Sequence, residues 1–160
     1  MSWWNRFSGG KSESERKSER VDYLSEALAL ERQGDYEAAL TSYKLALRDR
    51  PNDHRVLQNM AIAYSRTGQL DDAIRCYRRA LEVEPSLSGA HYGLAFLLLK
   101  RGETDGAAEH LQRFLARPPQ SPEAERWIRH ATQTLEELRG GGGGSGAEGP
   151  PGEGLPAPRA

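Results

Sequence analysis

HRVLQNMAIAYSRTGQLDDAIRCYRRALEVEPSL, residues 54–87, decides the fold, because a shift of 34 residues in either direction places this stretch on a copy of itself. The preceding copy, residues 20–53, reads RVDYLSEALALERQGDYEAALTSYKLALRDRPND. The following copy, residues 88–121, reads SGAHYGLAFLLLKRGETDGAAEHLQRFLARPPQS. Three successive copies predict an array of repeated structural units, each of which stacks on its neighbours.

Three residue types recur at fixed places in each copy. Glycine recurs where one helix must stop and turn with positive φ, at Gly34, Gly68 and Gly102. Proline ends the second helix of each copy, at Pro51, Pro85 and Pro119. Small side chains recur where helices must cross closely, at Ala27, Ala61, Ala95, Ala39, Ala73 and Ala107. Each copy is therefore expected to form two helices.

The chain divides into three segments. Residues 1–19 form an aromatic tip on a polar, flexible arm, residues 20–138 form the repeat domain, and residues 139–160 form a Gly/Pro-rich tail expected to be disordered. Apolar spacing predicts helices near residues 21–33, 36–49, 54–67, 70–84, 88–101 and 104–116. A capping helix is predicted over residues 122–138, with Ser121 as its N-cap and Pro122 at its first position.

The period and the turn motifs resemble the tetratricopeptide repeat. The motifs are GDYEAA at 34–39 and GQLDDA at 68–73, followed by Tyr43 or Tyr77. This resemblance implies an all-α solenoid, a right-handed superhelix of helix–turn–helix units whose first helices line a concave, peptide-binding face. The third copy departs from the motif with Thr104 and Gly106, so its second helix is expected to be the least stable.

The inner helices then present three columns of residues spaced 34 apart, the last helix extending two of them. One column is apolar, one is mixed and one is basic: Leu28, Ile62, Phe96 and then His130; Leu24, Gln58, Tyr92 and then Arg126; and Arg32, Arg66 and Lys100. We expect an apolar floor with a cationic edge, which suits a protein or peptide segment with large apolar and acidic residues bound weakly. The alternative is that neighbouring helices cover part of the apolar column and that the basic residues serve the helix dipoles.

The chaperone-tail clamp of the resembled family is not expected here. That clamp holds a terminal carboxylate with Lys and Asn on the first inner helix, Asn on the second, and Lys and Arg on the third. Only Asn59 matches, whereas the third copy offers Gly89 and Gly93.

Composition and motifs argue against several other functions. The net charge of -1 without a Lys/Arg block argues against a nucleic-acid partner. No HExxH motif or phosphate loop occurs, so neither catalysis nor a cofactor is predicted. Cys76 and His110, spaced 34 apart as possible neighbours on adjacent second helices, are too few to hold zinc. A lone cysteine and the lack of a signal-peptide pattern predict a cytoplasmic protein.

The aromatic tip leaves several functions open. Trp3, Trp4 and Phe7 could cap the apolar face of the first repeat, dip weakly into a membrane interface, or dock on a partner or a second copy. The sequence therefore predicts a non-catalytic interaction scaffold. Its alternative is a self-associating adaptor, or one peripheral to the inner face of the membrane, that uses the tip.

Overall fold

The structure, a computed structural model, describes residues 22–141, and these residues contain seven helices. The helices are α1 Tyr23–Arg32, α2 Tyr36–Asp49, α3 His54–Arg66, α4 Leu70–Val83, α5 Ser88–Lys100, α6 Thr104–Ala116 and α7 Ala124–Arg139. Each helix packs on the helices directly before and after it in the chain, with a smaller contact between α3 and α5. The domain is therefore a linear stack of helix pairs.

The turn inside each pair depends on glycine. Gly34, Gly68 and Gly102 have φ values of +81°, +76° and +77°, which confirms the predicted left-handed turns. The residue after each glycine donates its N–H back to the last turn of the helix, as Asp35 does to the carbonyl of Leu30 at 3.0 Å. A side chain at these positions would be strained, because left-handed backbone costs little only for glycine.

The six recurring alanines are all fully buried at the helix crossings. Two core clusters result, one running through the first two repeats into α5 and one between α5, α6 and α7. The second cluster is rich in aromatic residues, with Tyr92, Phe96, Phe114 and Trp127 buried together. It attaches α7 to the end of the array.

Helix ends lie at or close to the predicted positions except at α7. The bounds of α2 and α6 are those predicted. Both ends of α1, α3, α4 and α5 lie within two residues of the predicted positions. The predicted N-cap Ser121 is wrong, because α7 begins at Ala124 without a side-chain cap. The carbonyl of Ser121 instead accepts the N–H of Ala124 at 3.0 Å, so a tight turn takes the place of the first helical turn.

No helix between residues 22 and 141 is long and apolar enough to cross a membrane. The predictions for Trp3, Trp4 and Phe7, and for the tail beyond Gly141, lie outside the described residues.

Candidate functional site

The residues of the predicted groove differ widely in exposure. Leu28 is the most exposed apolar member at 36%, and Leu24 and Ile62 are half-buried. Four other members are buried: Gln58, Asn59, Tyr92 and Phe96. The open apolar surface therefore lies on α1 and α3, in the first two repeats.

Helix α7 covers the groove at its C-terminal end. His130 of α7 stacks on Phe96 with ring centroids 4.6 Å apart and planes 9° apart. Its Nδ1 lies 2.9 Å from the hydroxyl oxygen of Tyr92. Tyr92 and Phe96 therefore do not line an open groove as predicted, because the capping helix takes up their apolar surface. The alternative that neighbouring helices cover part of the column holds at this end.

The basic column remains at the surface. Arg32, Arg66 and Lys100 are the last residues of α1, α3 and α5, and all three are exposed. Across residues 22–141 none of the three pairs with a carboxylate. Each lies at the negative end of its helix dipole, which accounts for part of the choice of residue. Arg126, which extends the mixed column, makes a cation–π contact, because its guanidinium lies 4.8 Å from the centroid of the Trp127 ring.

The inner helix α3 also carries buried polar groups that lack partners. Gln58 Oε1 and His54 Nδ1 are buried and accept no hydrogen bond from any residue in 22–141. An unsatisfied buried acceptor costs about 1–3 kcal/mol, and neither atom is open to a ligand at the surface. Gln58 lies one helical turn before Ile62, beside the open apolar surface.

Two sequence models of one family match this chain. Both are described as tetratricopeptide repeat, and they match residues 30–86 and 59–122, which together span more than half of the 160 residues. This chain belongs to the tetratricopeptide repeat family. No individual curated protein matches it in sequence.

Solved structures confirm the predicted tetratricopeptide-repeat α-solenoid. The type III secretion translocator chaperone SycD of Yersinia enterocolitica superposes with a TM-score of 0.68 at 21% identity, over 73% of this chain and 81% of that one. The Sgt2 TPR domain of Aspergillus fumigatus gives 0.62 at 26% identity, over 86% and 88%. The TPR2B domain of yeast Sti1, in complex with pHsp70, gives 0.64 at 19% identity, over 74% and 94%.

On the inner helix of the third repeat, Gly93 leaves no space for a side chain. A Cβ atom built on Gly93 would lie 2.4 Å from the hydroxyl oxygen of Tyr77. Gly89 is buried, and the single matching residue, Asn59, is 8% exposed. That this tetratricopeptide array does not clamp a chaperone tail stays a prediction.

A histidine pair that was not predicted from the sequence lies at the joint between the second and third repeats. The Nε2–H of His91 donates to the carbonyl of Pro85 at 2.8 Å, so its Nδ1 is left to accept from the Nδ1 of His110 at 2.9 Å. Burial lowers the pKa of His91, and burial together with His91 lowers the pKa of His110 to about 4. Both rings are neutral at neutral pH.

A signal for this pair was present in the repeat alignment. The residues 34 positions earlier are Leu57 and Cys76, so the third repeat puts histidine at two positions that hold less polar residues in the second. The sequence suggested Cys76 as a neighbour of His110, but the hydrogen-bond partner is His91. No group of three or more metal-ligating side chains occurs in residues 22–141.

Proposed function

We propose that this chain is a non-catalytic protein-interaction scaffold that binds a peptide or helical segment of a partner on the open face of its first two repeats. The observation that carries the proposal is the juxtaposition of the open apolar surface with the basic column. Leu28 is exposed on α1 and Ile62 is half-buried on α3, and the same helices end in Arg32 and Arg66, which form no ion pair within residues 22–141.

The ligand chemistry follows from this arrangement. Leu28 and Ile62 occupy equivalent positions on the first two inner helices, which suits two apolar anchors on one segment. An acidic residue beyond the anchors would pair with Arg32 or Arg66, whose guanidinium groups favour carboxylates. The preferred partner is therefore an apolar and acidic segment.

The available surface limits the affinity. Two anchors of leucine size contribute about 3–6 kcal/mol, and association costs about 4 kcal/mol or more. Binding is then micromolar or weaker and relies on the basic column. The family supports this type of function, since SycD has been solved in complex with a peptide of the translocator YopD.

A peptide-display selection on the intact chain tests the proposal. Selected peptides are compared by fluorescence anisotropy on the parent chain and on a Leu28→Ser/Ile62→Ser variant. The matched control is Val83→Ser, which alters an apolar residue of similar exposure, 38%, on the second helix α4. All variants are checked for helical content by circular dichroism.

We expect the groove variant to bind at least about tenfold more weakly and the Val83→Ser control to bind as the parent does. Arg66→Gln and an increase in salt from about 50 to 300 mM should both weaken binding. Failure to select any peptide, or equal binding by the parent and the groove variant, would contradict the proposal.

A further inference from the structure

The two joints between repeats are held by different hydrogen bonds. At the first joint, Arg79 of α4 donates from Nη2 to the carbonyl of Pro51 at 2.7 Å. This bond ties the second helix of the second repeat to the loop before its first helix. At the second joint the equivalent residues, 34 positions later, are Arg113 and Pro85.

At the second joint a histidine replaces the arginine as the donor. The carbonyl of Pro85 accepts from Nε2 of His91, which occupies the position of Leu57. Arg113 instead donates to Glu109 on its own helix at 2.6 Å, and its side chain is 57% exposed. The histidine thus frees an arginine that the first joint uses for structure.

The freed arginine borders a cleft of about 330 Å³. The cleft is lined by Pro85, Ser86, His91, Arg113, Ala116 and Arg117. Arg113 and Arg117 are four residues apart, so their side chains emerge on the same side of α6 and just beyond its end. The lining therefore combines two exposed apolar residues, Pro85 and Ala116, with two cations at its rim.

We propose that this cleft is a second binding site, which takes an acidic side chain of a partner protein. The two guanidinium groups would share the carboxylate, and Pro85 and Ala116 would contact the methylene groups of the acidic side chain. A volume of 330 Å³ is at the small end for ligand sites, which fits one side chain and the adjoining backbone. The site uses no residue of the concave groove and does not depend on the function proposed there.

Two carboxylates bonded or adjacent to lining residues, Glu109 and Glu84, do not block this site. Glu109 pairs with Arg113 while its own side chain is 60% exposed, and exposed ion pairs are held weakly. Glu84 is engaged by the hydroxyl and the N–H of Ser86. Arg117 forms no ion pair with any residue in 22–141, so one cation is available without exchange.

Nuclear magnetic resonance titration of the intact ¹⁵N-labelled chain tests the proposal. The probes are N-acetyl-glutamate α-amide, its neutral isostere N-acetyl-glutamine α-amide, and inorganic phosphate. We expect saturable shifts of the amide signals of Ser86, Ala116 and Arg117 with the glutamate probe, at a dissociation constant of about 1 mM or weaker. The glutamine probe should give no saturable shift.

Three variants identify the residues responsible. Arg113→Gln/Arg117→Gln should weaken binding of the glutamate probe at least about fivefold. Arg129→Gln is the matched control, because Arg129 makes a similar exposed pair with Glu125 on α7, and it should leave binding unchanged. His91→Leu should also weaken binding although it removes no rim charge, since it leaves the carbonyl of Pro85 for Arg113.

Several outcomes would overturn the assignment. Shifts that rise linearly with probe concentration, or that are equal for the glutamate and glutamine probes, would show that the cleft does not bind a carboxylate. Unchanged binding by the Arg113→Gln/Arg117→Gln variant would place the site elsewhere. Phosphate binding more tightly than the glutamate probe at the same residues would make the ligand a phosphoryl group and refute the acidic side chain.

Discussion

Replacing Gly93 by alanine should destabilise this protein, whereas the same replacement at Gly106 should stabilise it. Both glycines lie inside helices, α5 and α6, where alanine is intrinsically favoured by about 1 kcal/mol. Their surroundings differ. A Cβ atom on Gly93 would lie 2.4 Å from the Oη, 2.5 Å from the Cζ and 2.9 Å from the Cε2 of Tyr77. On Gly106 its nearest neighbour would be Leu98 Cδ1 at 3.4 Å.

The contact distances set the size of the effect. Carbon atoms pack at about 3.5–4.0 Å, so the ring of Tyr77 would have to retreat by about 1 Å. Tyr77 is only 2% exposed and belongs to the first core cluster, so packed side chains oppose this movement. Overpacking of this kind costs about 1–3 kcal/mol, and three close atoms favour the upper value. After the gain in helix propensity, Gly93→Ala should cost about 2 kcal/mol and Gly106→Ala should gain about 0.5–1 kcal/mol.

Urea unfolding followed by circular dichroism measures both changes. A loss of 2 kcal/mol lowers the midpoint by about 1 M for a protein of this size. A Tyr77→Leu background provides the control, because without the ring the cost of Gly93→Ala should disappear. A midpoint for Gly93→Ala at or above that of the parent would refute the reasoning, as would the same cost in the Tyr77→Leu background.

Three further predictions concern single side chains. Because the pKa of His110 is lowered to about 4 in the folded state, the unfolded state binds more protons below pH 6.5. The free energy of unfolding should therefore fall by about 1–2 kcal/mol between pH 6.5 and 4, a value reduced by solvent screening of the half-buried ring. Urea midpoints measured across this range should show a smaller fall for His110→Cys. Asp35→Ala should cost about 1 kcal/mol in thermal unfolding because it removes the N-cap bond to Ala38, whereas Gln69→Ala, at the same position of a helix without a side-chain cap, should cost less than half as much. Burial raises the pKa of the Cys76 thiol to about 11, so iodoacetamide should alkylate it far more slowly at pH 8 than in urea, and equal rates would contradict the burial.

Most of the fold could be predicted because it depends on local chemistry. The left-handed turns at Gly34, Gly68 and Gly102 follow from residues next to one another in the chain, and so do most helix ends. The predicted start of α7 was wrong because Pro122 is compatible both with a first helical turn and with the tight turn that forms before Ala124.

The candidate site was predicted less completely, because exposure depends on which helices meet. The columns spaced 34 apart placed Leu28 and Ile62 on the inner helices, yet they could not show that His130 would cover Phe96. Atomic positions were also needed to show that His91 donates at the second joint, whereas Arg79 donates at the first.

The sequence by itself determined the period, the helical class and the order of the stack, because these follow from residue types repeated at fixed spacing. Only the tertiary structure decided where the concave face is open, which histidines meet and which arginine is freed beside a cleft. Those features arise from contacts between side chains 19–38 residues apart, as in His91 with His110 and Tyr92 with His130. Their geometry is set by the packing of whole helices and not by the local pattern.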